Sequence, residues 1–408
     1  MQISCYWQWT NQTVNFRDTG GHMKFLLYRW QAYNQMALED ALIKLGHKID
    51  TFTCEIGNIE EDKEFEAKLV GYLAGHGYDA VISINYFPVI AKSCSRAECK
   101  YISWTCDSPM LALYTKSVFL PSNYIFVFDR QVYYEFKAMG VKNIWYLPLA
   151  VDVMRNDYVL KDYTGKEYQS DVSFVGSLYE KNRYDEMVYM PDYIRGYFDA
   201  LMNVQMEIYG DNFFERMISG EIEEQLEGKA VDISGDEFIG TPALIVANTT
   251  LGMKLAALER RKILNMVSRK IRDTKIYTES STNDLPLVKN MGKVDYIYDM
   301  PKVFASSKIN LNITLRNIKT GIPLRIWDIL GAGGFVLTNF QAELLDFFEQ
   351  GKHLVWYDSH SDMMDKIIYY LSHDKERAEI AREGNLLVRR KHTMEMRVKE
   401  LVKTVQDA

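Results

Sequence analysis

Residues 320–343 read TGIPLRIWDILGAGGFVLTNFQAE, and this stretch decides the fold. Its order is a loop, a short helix, a glycine break, a buried strand and a second loop ending in a carboxylate. Gly321 lets backbone and ligand come close. Pro323 suits the first turn of a helix, where its missing N–H costs nothing. The start of that helix presents unpaired N–H groups and a partial positive charge, so a diphosphate is a natural occupant. Asp328 lies over a turn further on, where a carboxylate can accept ribose hydroxyls. Gly331, Gly333 and Gly334 end the helix and lead tightly into FVLTN. The arrangement suits a site for a sugar nucleotide.

Working outward, the same grammar repeats. KFLLYRW, HKIDTFTC, DAVISIN, KYISWTC, YIFVFD and NIWYLPL read as strands in the first half. Helix patterns such as NQMALEDALIKLG and EEDKEFEAKLVGYLAGHG separate them. Gly46 fits a helix C-terminal stop. In the second half DVSFVGS, TKIYTES, DYIYD, KINLNIT, FVLTN and HLVWYD read as strands. Short apolar runs alternating with helices argue for parallel sheets covered on both faces. The expected fold is α/β, with two doubly wound Rossmann-like domains facing across a cleft. Expected bounds are 23–165 and 166–390, with a helical insertion at about 185–272. MEIYG, inside that insertion, reads either as helix or as a short strand. The tail HTMEMRVKELVKTVQ, within residues 391–408, is a helix. Residues 1–22 read as an extension, an early start or an extra strand. Ligands of open α/β sheets bind at the carboxyl ends of strands, so FVGS and KTGIP should line one cleft.

The chain has 408 residues, enough for two or three domains, and its 47% hydrophobic share is that of an ordinary globular protein. A formal charge of −7 argues against nucleic acid as a partner, because phosphate backbones need a basic face. No apolar run approaches the ~18 residues of a membrane span, and no secretory signal pattern opens the chain. Five cysteines, all before residue 107, exclude an even disulfide framework and point to a reducing, cytoplasmic setting. Cys94, Cys99 and Cys106 lack the spacing and fourth ligand of a zinc site, so they read as buried or free thiols. No DxD motif, P-loop, HExxH or Gly-x-Ser-x-Gly elbow occurs.

The 320–343 stretch resembles the donor-site signature of retaining GT-B glycosyltransferases, in which two acidic residues are separated by seven others. Asp328 stands where the second acid falls, and Thr320 stands in place of the first. The flanking SKINLNITLRNIK, YYLSHDKERAEIAREG and HTMEMR are similar to the spore maturation protein CgeB family. So are DVSFVGSLYEKNRYDEM, YISWTCDSP and FDRQVYYEFKAMGVKNIWYLPLAVD. The likeness spans nearly all of residues 23–400. It implies a GT-B fold and a nucleoside diphosphate sugar as donor, with a saccharide, protein or cell-surface acceptor. It also implies retention at the anomeric carbon and a terminal helix that crosses back to the first domain.

Transfer leaves negative charge on the departing diphosphate, which a metal, cations or a helix N-terminus must neutralise. Without a DxD mark, the expectation is no metal and no permanently bound cofactor. Arg316 and Lys319 are candidates for the leaving group. Lys181 and Arg183 follow the turn at Gly176 and Ser177, where related enzymes carry an Arg directly after the glycine. Those two cations could instead pair with Glu180 or Asp185. Arg325 could pair with Asp328 one turn away. Glu343 is placed either to contact sugar or ribose, or to cap the following helix. In the first half, Asp107 of SWTCDSP is the candidate carboxylate near the anomeric carbon, its bland alternative being an Asx-turn. Tyr33 and Asn34, after the first strand, should face the diphosphate, unless Asn34 merely caps the next helix. The departures at Thr320 and Ser177 support a rival function, a nucleotide-sugar binding module without transfer; a further rival is a GT-B-fold epimerase acting on the sugar nucleotide with no acceptor.

Overall fold

The computed structural model describes residues 21–187, 190–226 and 237–408. Nearly all of the expectation for residues 1–22 therefore lies outside the described residues. The first sheet comprises β1 (Lys24–Tyr28), β2 (Lys48–Phe52), β3 (Ala80–Ile84), β4 (Lys100–Trp104), β5 (Asn123–Val127) and β6 (Ile144–Tyr146). The second comprises β7 (Ser170–Val175), β8 (Thr274–Tyr277), β9 (Lys289–Asn290), β10 (Ser307–Asn312), β11 (Val336–Asn339) and β12 (Val355–Tyr357). Their orders are β2-β1-β3-β4-β5-β6 and β12-β11-β10-β7-β8-β9, and every pairing is parallel.

The sequence explains the placement of strands within each sheet. AVISI of β3 and NYIFV of β5 are buried at every position, as central parallel strands covered on both faces must be. KIDTF of β2, at the edge, mixes exposed and half-buried positions. Carboxylates start several helices just past strand ends. Asp129, directly after β5, accepts from Gln131 N at 3.1 Å and so opens the helix Arg130–Ala138. Each sheet order reverses direction once, between β1 and β3 and between β7 and β10, and a crevice opens at each reversal.

One strand expectation fails. DYIYD (295–299) is a turn, because the Asp295 carboxylate takes the N–H groups of Ile297 (2.8 Å) and Tyr298 (2.7 Å). Its aromatic and β-branched residues mimic a strand, but the side-chain cap coils the backbone. The edge strand is instead the two-residue β9. MEIYG is not a strand either. The helix Asp192–Met206 ends there, and Gln205 Nε2 donates to the carbonyls of Ile208 (3.2 Å) and Asp211 (2.7 Å).

Between β7 and β8 the described residues are largely helical, with Asp192–Met206 and Gly252–Lys270 as the longest helices among them. This insertion touches the first domain, where Lys116 N donates to Glu237 O (2.8 Å) and Ile239 N to Tyr114 O (2.9 Å). The last helix, Met394–Asp407, packs on the helix Gln35–Lys44. One apolar cluster runs without a break from Phe25, Leu38 and Trp104 of the first domain to Trp327 of the second and Leu401 of the last helix.

Asp40 lies in that helix contact, near Glu395, Glu39 and Asp152, while Lys44 Nζ pairs with Glu395 at 2.7 Å. Burial first, then those three carboxylates, push its pKa up to about 6 from 3.8. The folded state therefore favours the protonated form. The stabilising contribution is complete below the unfolded value and is lost as pH rises through about 6. Asp40→Asn should raise the melting temperature at pH 7.5 and leave it nearly unchanged at pH 4. Melting curves across that range check this; equal shifts at both pH values would refute it.

Candidate functional site

The carboxyl edges of the two sheets face each other, and a pocket of about 740 Å³ lies between them. Gly176 and Ser177 after β7, with Thr278 and Glu279 after β8, form one side. The segment Lys293–Ile297 forms a second. Tyr33 and Met36, from the β1 crevice, cover it from the first domain, and Arg325 enters from the helix Leu324–Gly331. Both reversal crevices thus open into one space.

Beneath the Gly176–Ser177 turn lies Arg260, which is buried. Its Nη1 donates to Ser177 O (2.6 Å) and its Nη2 to Ile313 O (2.9 Å). This guanidinium ties the end of β7 to the chain just after β10. Burial lowers its pKa.

An aromatic wall closes the first-domain side. The Tyr33 ring, 68% exposed, sits 4.8 Å from the Tyr296 ring. Behind Tyr296 lies a buried pair: Arg155 Nη2 donates to Asp328 Oδ1 at 2.8 Å, and the Arg155 guanidinium lies 4.5 Å from the Tyr296 ring centre. The Tyr296 hydroxyl donates to the same Oδ1 at 3.2 Å. Arg325 approaches Asp328 only to 3.7 Å and also contacts the Met300 sulfur.

A second polar cluster joins the domains beside the pocket. The Asp129 carboxylate accepts from Lys319 N (2.7 Å), Thr320 N (3.2 Å) and Thr320 Oγ1 (2.9 Å). Glu343 accepts from Arg130 N (2.8 Å) and from the Tyr146 hydroxyl, and Thr320 Oγ1 lies 2.7 Å from it. Burial raises the Glu343 pKa, partly offset by those donors. Gly321 is required at this junction. A Cβ there would lie 2.9 Å from the Phe128 ring and 3.0 Å from Asp129 Cα, so any side chain would push the loop off β5.

Asp107 follows β4 and is exposed. Its Oδ2 accepts from Asn85 Nδ2 at 2.7 Å. Next to it, Ser108 Oγ donates to Asp129 Oδ2 at 3.2 Å. The loop is therefore tied to the residues that follow β3 and β5, and Asp107 does not line the pocket.

A family model described as "Glycosyl transferase-like" matches residues 260–403. Similar solved structures include HepE of Anabaena in complex with UDP and glucose, with 10% identity, TM-score 0.55, and 95% of this chain and 100% of that one covered. A glycosyltransferase of Rickettsia africae gives 8%, 0.56, 95% and 99%. Sucrose-phosphate synthase of Thermosynechococcus elongatus gives 10%, 0.52, 95% and 99%. The fold is the GT-B fold of glycosyltransferases. No curated protein matches the sequence.

Within this GT-B cleft the residues singled out from sequence divide into three groups. Tyr33, Gly176, Ser177 and Arg325 line the pocket. Thr320, Gly321 and Glu343 lie at the domain junction, and Glu343 makes no side-chain cap bond to its helix. Asn34, Lys181 and Arg183 make a third group, outside both. Asn34 is buried, makes no cap bond, and donates to Cys106 Sγ at 2.9 Å. Lys181 and Arg183 are exposed and make no ion pair among the described residues; Asp185 pairs with Lys254 instead, at 2.7 Å.

Three expectations need correction. Arg316, expected at the leaving diphosphate, is buried against Glu259 (2.7 Å) with its guanidinium 3.8 Å from the Tyr209 ring centre. Glu259 neutralises it away from the pocket lining. The Lys319 ammonium is held by Glu135 at 2.5 Å, so its backbone N–H, not its charge, reaches the junction. Asp328 is 4% exposed and stands behind Tyr296, not on the pocket surface.

Sequence reasoning missed Asn85, Asp129, Arg155, Arg260, Lys293 and Tyr296. Asn85 and Asp129 each directly follow a fully buried strand residue or its neighbour, and the carboxyl-end rule could have flagged both. Arg155, Arg260 and Tyr296 gave no comparable signal.

Proposed function

We propose that this protein transfers a sugar from a nucleoside diphosphate donor to a saccharide, protein or surface acceptor, with retention at the anomeric carbon. The observation that carries the reading is the 740 Å³ pocket at both sheet reversals, with an exposed tyrosine, a glycine turn and Arg325 on its walls. The nucleoside would lie along Thr278, Glu279 and the Lys293–Ile297 segment. The diphosphate would lie against the Gly176–Ser177 turn, with Arg325 and Lys293 offsetting its charge. No metal is assigned to that task. Asp107, at the first-domain rim, would face the anomeric carbon, where positive charge develops as the donor bond breaks. Asp328 would act through Arg155 and Tyr296, by fixing the aromatic wall. HepE, crystallised with UDP and glucose, lends support to a UDP-sugar donor. The resemblance to CgeB-like proteins supports a role in surface or spore polysaccharide and a cytoplasmic setting.

One observation favours a binding module without transfer. Asp129 occupies the N–H groups of Lys319 and Thr320, in a loop where the resemblance expects an acid at 320. A melting-temperature panel of UDP, GDP, dTDP, ADP and CMP with their sugar conjugates tests donor binding. A ligand at a hundred times its Kd stabilises the fold by about 2.7 kcal/mol. We expect one base to give a clear shift that Arg325→Ala weakens. If no nucleotide gives a shift, the donor pocket is misassigned. Release of diphosphate from the responding conjugate then separates transferase from binding module.

A further inference from the structure

We infer that Asn85 is a positioning residue that fixes the carboxylate of Asp107 in the cleft. The inference rests on the reading of Asp107 given above. Asn85 directly follows β3 and has φ at +65°, a left-handed conformation costly for a side chain other than glycine. It is 4% exposed. Both halves of its amide are used on one neighbouring loop. Oδ1 accepts from Cys106 N at 2.8 Å, and Nδ2 donates to Asp107 Oδ2 at 2.7 Å.

The conformation is held from several sides. Asn85 N donates to Trp104 O at 2.9 Å, and Asn85 O accepts from Ser83 Oγ at 2.7 Å. Ser83 Oγ and the Tyr101 hydroxyl lie 2.8 Å apart, and that hydroxyl accepts from Phe87 N at 3.0 Å. A buried hydroxyl pair between β3 and β4 thus pins the turn that carries Asn85. The loop it grips is held at two more points. Asn34 Nδ2 donates to Cys106 Sγ (2.9 Å), and Ser108 Oγ to Asp129 (3.2 Å). Side chains from the ends of β1, β3 and β5 converge on residues 106–108. Asp107 itself stays exposed.

A strained asparagine spending its whole amide on one exposed loop is more than β3 needs in order to end. Asparagine also suits the site chemically. It tolerates the left-handed region and offers one donor and one acceptor. Aspartate in its place would keep the acceptor for Cys106 N but set a second carboxylate against Asp107, so the pair would share a proton over a range of pH.

The test uses four variants of the full chain: Asn85→Gly, Asn85→Asp, Asp107→Asn and the double exchange Asn85→Asp with Asp107→Asn. Melting temperatures are measured from pH 5 to 8, with UDP release from UDP-glucose and UDP-glucose affinity alongside. Asn85→Asp should melt lower than the parent at pH 8 and regain that loss at pH 5. The double exchange should cancel the pH dependence, because it restores one carboxylate and one amide. In turnover, Asn85→Gly should lower kcat about tenfold or more with KM unchanged. Asn85→Asp should shift the acid limb of the rate profile. The double exchange should stay slow.

A pH-independent Asn85→Asp melting temperature, or one the double exchange does not rescue, overturns the Asn85–Asp107 coupling. An unchanged kcat in Asn85→Gly, with Asp107→Asn slow, overturns the positioning role and leaves Asp107 standing. An Asp107→Asn variant as fast as the parent overturns the reading of Asp107. The melting data decide the coupling even if UDP-glucose is not turned over.

Discussion

Asp328→Ala is expected to destabilise the protein by about 3–5 kcal/mol. The Asp328 and Arg155 side chains are 5% and 4% exposed and lie 2.8 Å apart. Removing the carboxylate leaves a guanidinium in the interior with Asp152, at 4.0 Å, as the remaining acidic partner among the described residues. It also frees the Tyr296 hydroxyl that donates to Asp328. The cost is the desolvation of a stranded charge, not the loss of an attraction. Replacing both partners together, as Arg155→Met with Asp328→Leu, should therefore recover much of the loss. Urea unfolding monitored by tryptophan fluorescence measures both. A single variant within 1 kcal/mol of the parent would contradict a buried pair. The same variants separate two roles for Asp328. If it acts by fixing Tyr296, the double variant should keep part of its donor affinity; direct ribose binding predicts that the affinity is lost in both.

Asp107→Asn is expected to slow donor turnover by at least about a hundredfold while leaving donor affinity within a few-fold. The substitution keeps size and polarity and removes the negative charge from the cleft rim. A charge aimed at an anomeric carbon matters only once positive character develops there, so its loss falls on kcat and not on binding. Because Asp107 is exposed, the fold should tolerate the change, unlike that at Asp328. Single-turnover rates of UDP release, compared with Kd from titration, check the split. Equal losses in affinity and rate would assign Asp107 to donor binding; no loss would remove it from the site.

The strands of both sheets were legible wherever a continuous apolar run stood between helix patterns, as in AVISI and NYIFV. Parallel strands covered on both faces leave no other composition available. The TGIPLRIWD segment was legible for a similar reason, since glycine, proline and a capping geometry act over a few residues. DYIYD was misread because composition reports β-propensity, whereas one local side-chain bond from Asp295 decided the backbone. Arg316 was misassigned because its partner Glu259 lies 57 residues away, on the helix Gly252–Lys270. Local sequence holds no record of that pairing.

The sequence alone determined the α/β class, the two-sheet organisation and the loop–helix–strand order of residues 320–339, all consequences of forces acting between near neighbours. Only the tertiary structure decided which charges face the cleft. Arg155 reaches Asp328 across 173 residues, and Asp129 reaches Thr320 across 191. In a low-dielectric interior each such charge must find a partner, and the fold, not the spacing along the chain, supplies it. The cations on the pocket walls are Arg325 and Lys293, the latter 3.1 Å from Glu279, while Arg155, Arg260 and Arg316 have been drawn inside.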